Sequence, residues 1–324
     1  MELIPREEEG LRLFYNENLF LPSSYYEELL RAVEEGDIRY YPTPWAERLT
    51  KGLSSFLGVD EEEIMVGAGA DDLLRTVILN SRCVGVVEPT YSLYEYLVRS
   101  LGRELRVLTK DKLPSSLGTF RGCDTVILNS PNNPTGDVYE EDLVLELAEV
   151  GSVVVDEAYV EFQGGRGMLD LAREGAAIIL RTFSKAWGLA GLRVGYAVAS
   201  PSIIEKLKER SLPYQVSAAS EAMALRALEQ AEVVRNSVEE MRSVREWFQD
   251  ELESMGLLYG RSQANFVLIV HPRAKKVWEA LRREGLVTRF VSRPGLKEGV
   301  RITVAPRPIM EQALEVIEWA TRSA

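Results

Sequence analysis

From about Trp45 to Ser200, short apolar runs alternate with amphipathic stretches. This alternation is typical of strands and helices that surround a mostly parallel sheet, so we predict an α/β fold. The predicted helices include 71–79, 91–101 and 140–150. The predicted strands are 64–66, 84–87, 105–108, 125–128, 153–155, 177–180 and 194–198.

After Pro201 the pattern changes to long amphipathic helices, predicted at 202–211 and 217–255, the second longer than most helices. A strand at 266–270, a helix at 274–284, strands near 287–290 and 300–304 and a helix at 310–321 follow, which predicts a smaller α/β domain. Ser24 and Glu27 form a plausible capping box for an earlier helix that stops at Gly36. We therefore divide the chain into an N-terminal arm and small-domain segment (1–40), a large domain (41–215) and a small C-terminal domain (216–324). We expect a cleft between the two domains.

The composition is that of an ordinary globular protein, because 46% of the 324 residues are hydrophobic and the mean hydropathy is −0.10. No apolar run is long enough to span a membrane, and the acidic start of the chain does not resemble a signal peptide. We therefore expect a cytoplasmic protein. The net charge of −12 argues against a nucleic-acid partner, but a local group of arginines could still bind a small anion.

Cysteine and histidine are scarce, which limits the chemistry that the chain can perform. Cys83 and Cys123 each stand at or just before an apolar run, so we expect buried thiols rather than a disulfide framework. His271 is the single histidine, which excludes a His-rich metal site and leaves no Ser-His-Asp triad. We expect no metal, and we expect His271 to be structural.

A lysine follows one of the predicted strands in a loop of small residues. Lys185 comes shortly after the apolar run 176–180 and eight positions before Arg193. An isolated Ser-Lys pair is usually an ordinary surface feature. Open α/β sheets, however, bind their ligands beyond the carboxyl ends of the strands, where this lysine would lie.

Four further segments also follow predicted strands. The glycine turn 67–72 opens a helix whose N-terminus could bind a phosphate, although such a turn is by itself commonly structural. The loop 129–136 holds adjacent asparagines between prolines. The segment 88–94 supplies aromatic residues that could cover a planar ring. Asp156 ends a wholly apolar strand, where a carboxylate is costly unless it meets a cation or a donor, whereas Glu157 projects to the other side.

Together these segments supply a lysine, a strand-end aspartate, an aromatic ring, an asparagine and a glycine turn with an arginine. This set matches the needs of pyridoxal 5′-phosphate (PLP). The lysine forms a Schiff base, and the aspartate keeps the pyridine nitrogen protonated so that the ring withdraws electrons. Each part is weak evidence alone, but five parts in one order favour a PLP site.

In this order the segments resemble the fold-type I PLP enzymes, specifically the class I and II aminotransferases, over nearly the whole chain. The resemblance implies a large PLP-binding domain with a mostly parallel sheet between helices, and a smaller α/β C-terminal domain. It implies that Lys185 is the Schiff-base lysine, that Asp156 pairs with the pyridine nitrogen and that Arg301 grips an anionic substrate group. The other implied contacts are Tyr159 and Asn133 to the ring hydroxyl, Tyr91 on the ring face, and Ala70, Asp71, Thr182, Ser184 and Arg193 to the phosphate.

Within these enzymes the segment 182–196 is most similar to the histidinol-phosphate aminotransferases. The segments 15–18, 39–44, 212–217 and 300–304 support the same subfamily, and through them Asn16 joins the implied substrate site. In those dimeric enzymes the tyrosine that matches Tyr41 reaches the cofactor phosphate of the neighbouring subunit. The resemblance therefore implies a symmetric homodimer with shared active sites.

The chain also departs from the subfamily pattern. Residues 67–72 read Gly-Ala-Gly-Ala-Asp-Asp, so a side-chain hydroxyl is lost at position 70, and Phe14 stands where asparagine is common. The segments 91–95 and 293–296 resemble the related threonine-phosphate decarboxylases, and Arg293 could assist Arg301 at the substrate.

The leading hypothesis is transamination of L-histidinol phosphate with 2-oxoglutarate in histidine biosynthesis. Three alternatives remain open: decarboxylation of threonine phosphate, transamination of aromatic or other amino acids, and a PLP-fold domain without catalytic activity.

Overall fold

The computed structural model describes residues 10–34 and 38–322. The predicted end of the first helix at Gly36 and the acidic residues at the start of the chain lie outside the described residues. That helix begins at Ser23, so Ser24 lies within it and is not the residue that caps it.

Seven strands form the main sheet, in the order β2-β8-β7-β6-β5-β3-β4. All neighbours in it are parallel except that β8 runs antiparallel to both β2 and β7. The strands of the chain are β1 (Leu11–Arg12), β2 (Ile64–Gly67), β3 (Cys83–Glu88), β4 (Glu104–Thr109), β5 (Thr125–Asn129), β6 (Ser152–Asp156), β7 (Ala177–Thr182), β8 (Gly195–Val198), β9 (Phe266–Val270), β10 (Leu286–Val287), β11 (Arg289–Arg293) and β12 (Leu296–Thr303).

Helices cover both faces of the main sheet, and others pack on the smaller antiparallel sheet β11-β12-β9. The helices are α1 (Ser23–Glu34), α2 (Glu47–Leu57), α3 (Ala70–Leu79), α4 (Leu93–Ser100), α5 (Glu141–Ala148), α6 (Val160–Gln163), α7 (Leu169–Arg173), α8 (Pro201–Lys208), α9 (Ala218–Glu229), α10 (Ala231–Ser254), α11 (Ala274–Arg283) and α12 (Arg307–Arg322).

The apolar strands are buried on both faces of the sheet. Their side chains point alternately into two hydrophobic clusters, one on each face. Val153 and Val155 of β6 belong to one cluster, whereas Val154 belongs to the cluster on the opposite face of the sheet. A strand with both faces covered has no reason to alternate polar and apolar residues, which explains its uninterrupted apolar sequence.

Two elements differ from the sequence prediction. The single helix predicted at 217–255 is two helices, α9 and α10, which are separated at Gln230 (φ −94°, ψ 19°). The strand predicted at 287–290 is divided between β10, which pairs with β1, and β11, which pairs with β12. The local sequence at Gln230 suits a continuous helix, and that at 287–290 suits a continuous strand. In each case the element is divided because its two parts pack against different neighbours.

The prediction of free thiols is wrong, because Cys83 and Cys123 are joined in a disulfide. Cys83 opens β3 and Cys123 precedes the neighbouring strand β5, so their Cα atoms lie 4.5 Å apart although 40 positions separate them in sequence. Both residues are buried, as expected. Among the helices of the described residues, none has the length and apolar character needed to cross a membrane.

Candidate active site

The carboxyl ends of β5, β6 and β7 meet at one edge of the main sheet, where a cavity of about 420 Å³ opens. Because parallel strands end at the same edge, Asn129, Asp156 and Thr182 all reach this cavity. The structure brings nearly all the residues implied by the resemblance to its wall, namely Asn16, Ala70, Asp71, Tyr91, Asn133, Asp156, Tyr159, Thr182, Ser184, Lys185, Arg193 and Arg301.

Lys185 is half-buried in the cavity wall. Its Nζ donates a hydrogen bond of 2.7 Å to the backbone oxygen of Tyr15 and lies 5.7 Å from the centre of the Tyr159 ring. The residues around Tyr15 therefore hold the amine at the cavity, where it can form a covalent bond with a carbonyl compound.

Asp156 meets two hydrogen-bond donors, as a carboxylate at the end of an apolar strand requires. The hydroxyl of Tyr94 donates to its Oδ2 at 2.6 Å, and the backbone N–H of Ala158 donates to its Oδ1 at 3.1 Å. Burial raises the pKa of Asp156 to about 6, and these two hydrogen bonds oppose that rise. Sequence reasoning missed Tyr94, although its position three residues after Tyr91 at the start of α4 was a usable signal.

Asn16 and Tyr159 form one buried hydrogen-bonded group. The Nδ2 of Asn16 donates to the hydroxyl of Tyr159 at 2.9 Å, and the Nδ2 of Asn133 lies 3.5 Å from the same hydroxyl. Asn16 has a left-handed backbone (φ 57°) and its N–H donates to Thr303 Oγ1 at 3.1 Å. The amide that was expected to bind substrate therefore holds the phenol of Tyr159 in place.

An anion cradle lies at the N-terminus of α3. Arg193 donates from Nη2 to Asp71 Oδ2 at 3.0 Å and from Nη1 to Ser184 Oγ at 3.3 Å. Gly69 has a φ of 87°, and a Cβ there would come within 2.7 Å of Arg193 Nη2, so glycine suits this backbone and keeps the space beside the guanidinium open. The backbone N–H of Ala70 begins α3, where the helix dipole favours negative charge. The cradle thus fits a phosphate group.

Arg301 lies on β12 at the other side of the cavity. Its Nη1 donates to Asn133 Oδ1 and its Nη2 donates to the backbone oxygen of Phe14, while its buried Nε has no partner among the described residues. Burial lowers the pKa of Arg301 from its usual value. An unpartnered buried donor of this kind is costly until an anion binds.

Arg289 is a second cation that sequence reasoning missed. It is paired with Arg301 across β11 and β12, so the two side chains leave the hairpin on the same face. Its positive charge is close enough to lower the pKa of Arg301. The signal in the sequence was weak, because it depends on the register between two strands that were predicted separately and with different boundaries.

Two residues of the implied site do not line the cavity. Arg293 donates to the backbone oxygen of Thr90 at 3.4 Å. The Tyr41 side chain is 86% exposed, and its ring lies 5.5 Å from that of Tyr214. Within one chain, neither residue is placed to contact a ligand of this cavity.

Comparison with known proteins identifies the family. A family model described as aminotransferase class I and II matches residues 8–317. The chain belongs to the class I and II aminotransferases. It is 33% identical to the histidinol-phosphate aminotransferase of Thermotoga neapolitana, over 94% of this chain and 92% of that protein.

Solved structures of related enzymes share the fold. The histidinol-phosphate aminotransferase of Sinorhizobium meliloti, in complex with PLP, matches with a TM-score of 0.87 and 24% identity, over 97% of this chain and 91% of that one. The L-threonine-O-3-phosphate decarboxylase of Porphyromonas gingivalis matches with a TM-score of 0.81 and 22% identity, over 96% and 97%. The predicted fold-type I architecture is confirmed.

The aminotransferase is a PLP-dependent enzyme, as the sequence predicted. The residues of the cavity fit this cofactor on independent grounds. The space left by Gly69 beside Arg193 would accommodate its phosphate, Lys185 would supply the amine, and the buried Asp156 would supply an anion for its pyridine nitrogen. The sequence predicts these positions, and the structure adds Tyr94, which donates to Asp156, and Arg289, which pairs with Arg301 across the hairpin.

Proposed function

We propose that this aminotransferase transfers the amino group of L-histidinol phosphate to 2-oxoglutarate, producing imidazole-acetol phosphate and glutamate. The observation that carries the proposal is the cationic side of the cavity. In the cavity wall the buried Nε of Arg301 has no partner among the described residues, and Arg289, which is not itself part of that wall, lies opposite Arg301 on the same face of the hairpin. Two arginines suit a phosphate, which carries more charge than one carboxylate.

When bound, PLP withdraws electrons from the bonds around the Cα atom of the donor. Lys185 in its unprotonated form would act as the base that takes up the Cα proton of the donor and as the acid that gives it back. Asp156 holds a proton at the pyridine nitrogen, and the hydrogen bonds from Tyr94 and Ala158 keep its carboxylate ionised. Tyr159, whose hydroxyl accepts from Asn16, would be held ready to donate to the ring hydroxyl group of the cofactor.

The same arginines serve both halves of the reaction. In the first half Arg301 binds the phosphate of the amino donor, and in the second half it binds a carboxylate of the keto acid. An arginine remains charged at neutral pH and offers two parallel N–H donors, so it accommodates either anion. The similarity to named histidinol-phosphate aminotransferases at about one-third identity supports this substrate.

We further propose a cytoplasmic homodimer that acts in histidine biosynthesis. Tyr41 is exposed together with the neighbouring Tyr214 and Leu212, which gives an apolar surface suited to a second copy of the chain. In such a dimer Tyr41 would reach the phosphate cradle of the partner subunit. Gel filtration that gives a monomer at working concentration would contradict this arrangement.

The test is a screen of amino donors against the purified PLP enzyme, in which the absorbance change from PLP to pyridoxamine phosphate is followed without a keto acid. We expect L-histidinol phosphate to convert the cofactor faster than phenylalanine, tyrosine or aspartate. Failure of L-histidinol phosphate to convert it would refute the proposal. Release of carbon dioxide from threonine phosphate would instead establish the decarboxylase.

A further inference from the structure

A second cavity, of about 490 Å³, adjoins the one that contains Lys185. The two cavities share five lining residues, which are Arg12, Glu17, Ser184, Ala190 and Gly191. Among the described residues that line the second cavity, Arg12 and Glu17 are the charged ones. The part of a substrate that extends away from the reacting carbon into this cavity therefore meets one cation and one anion.

The position of Glu17 is fixed by the residues on either side of it. Asn16 donates to Tyr159, and its backbone oxygen accepts from Asn265 Nδ2 at 3.0 Å. Asn18 donates from Nδ2 to the backbone oxygen of Ala186 at 2.7 Å. Because both neighbours are anchored in the protein, the side chain of Glu17 is held at the cavity wall with little freedom to move away.

Arg12 and Glu17 form an ion pair that remains accessible to a ligand. The Nη2 of Arg12 lies 2.9 Å from Oε1 of Glu17, and the two side chains are 60% and 24% exposed. The carboxylate has a second oxygen, Oε2, without a partner among the described residues, and the guanidinium has further N–H donors. The pair therefore keeps both an acceptor and donors available.

Three residues of the segment 14–17 contact, one after another along the chain, the charged side chains that a substrate would meet. The oxygen of Phe14 accepts from Arg301, the oxygen of Tyr15 accepts from Lys185, and Glu17 pairs with Arg12. A donor whose phosphate is at Arg301 and whose Cα is at Lys185 has one further carbon branch, and Arg12 and Glu17 are the charged residues of the cavity wall to which no other part of the substrate or cofactor has been assigned. For L-histidinol phosphate that branch is the imidazole.

We propose that the Arg12–Glu17 pair recognises the distal ends of both substrates. Glu17 accepts a hydrogen bond from the imidazole N–H of the amino donor, and Arg12 binds the distal carboxylate of 2-oxoglutarate or glutamate. One pair thus serves two chemically different end groups, which occupy the same place in alternate halves of the reaction. This inference rests on the proposed function, because it takes L-histidinol phosphate as the donor.

The test measures the two half-reactions separately, by following the cofactor absorbance in the purified holoenzyme. The PLP form is mixed with L-histidinol phosphate or with glutamate, and each is compared in Glu17→Gln and Arg12→Gln. Glu95→Gln and Arg99→Gln are matched controls, because that pair has the same 2.9 Å separation but lies on the outer face of α4. Cofactor affinity is measured for every variant.

We expect Glu17→Gln to lower kcat/KM about tenfold for L-histidinol phosphate and to leave glutamate unchanged, because a charged hydrogen bond is lost in one half-reaction only. Arg12→Gln should lower kcat/KM about tenfold or more for glutamate and have the smaller effect on L-histidinol phosphate. Equal effects on both substrates, or no effect, in an enzyme that accepts L-histidinol phosphate overturn the inference and leave the proposed function intact. Rejection of L-histidinol phosphate by the unaltered enzyme overturns both.

Discussion

Replacement of Tyr94 by phenylalanine tests how the aminotransferase keeps its buried aspartate ionised. Asp156 accepts two hydrogen bonds. The one from the hydroxyl of Tyr94 is the shorter, at 2.6 Å, and the one from the N–H of Ala158 is 3.1 Å long. Phenylalanine keeps the ring and its edge contact with Tyr91, whose centroid is 5.6 Å away, so the packing is preserved. The change therefore removes one hydrogen bond from a buried carboxylate.

A hydrogen bond to an ionised group contributes about 1.5–3 kcal/mol. Since about 1.4 kcal/mol corresponds to a factor of ten, loss of this bond should raise the pKa of Asp156 by about one to two units, so near neutral pH the Tyr94→Phe variant should bind PLP up to roughly tenfold more weakly. The pKa of Asp156, which burial already raises to about 6, should rise further because an opposing hydrogen bond is lost. Affinity for PLP falls as pH falls through this pKa, so in the variant the fall should begin at a higher pH.

The assay is titration of the cofactor-free protein with PLP between about pH 5 and 9, a range that contains both the Asp156 pKa of about 6 and the higher pKa expected in the variant, with quenching of tryptophan fluorescence as the signal. Tyr96→Phe is the control, because Tyr96 is on the same helix but is 47% exposed. Equal PLP affinity and equal pH dependence in Tyr94→Phe and Tyr96→Phe would refute the reasoning.

Three further changes have outcomes that follow from the structure. Lys185→Ala should remove the covalent link to PLP, as seen by mass spectrometry after borohydride reduction. Arg289→Gln should raise KM for L-histidinol phosphate more than for glutamate, because it removes the second cation beside Arg301. Burial raises the pKa of Glu161 to about 7, so this group stabilises the fold at low pH and that contribution is lost as pH rises toward 7. Glu161→Gln should therefore flatten the pH dependence of the free energy of unfolding, by on the order of 2 kcal/mol between pH 4.5 and 7.5 in urea titrations.

Each of these expectations can fail in a definite way. A covalent adduct that survives Lys185→Ala means that another amine holds the cofactor. If Arg289→Gln raises both KM values equally, Arg289 does not distinguish phosphate from carboxylate. If Glu161→Gln unfolds with the same pH profile as the unaltered chain, the carboxyl of Glu161 is solvated in the folded state.

Much of the site could be predicted because burying a polar or charged residue at the end of an apolar strand costs free energy unless the residue has a partner. Asp156 and Lys185 stand out for this reason, and the strands that carry them are found by their apolar runs alone. Parallel strands then bring these residues together without any knowledge of loop structure. The apolar runs therefore predict both the strands of the fold and the position of the site at their carboxyl ends.

What sequence could not predict depends on contacts between distant segments. The bond between Tyr94 and Asp156 depends on how α4 is rotated against the sheet, and the pairing of Arg289 with Arg301 depends on hairpin register. The disulfide of Cys83 and Cys123 depends on which strands are neighbours. Gln230 lies among good helix formers, so nothing local marks the end of α9.

Strand β1 pairs with β10, and the residues that follow β1 line the cavity, which has a consequence for protein engineering. Leu11 pairs with Leu286 on β10, and four residues later the oxygen of Tyr15 accepts from Lys185. The stretch from Leu11 to Asn18 is therefore a wall of the catalytic cavity and not a removable tail. In a circularly permuted chain, a new opening placed within this stretch would detach the wall. An opening at the exposed turn around Gly122, on the opposite edge of the strands, would leave it in place.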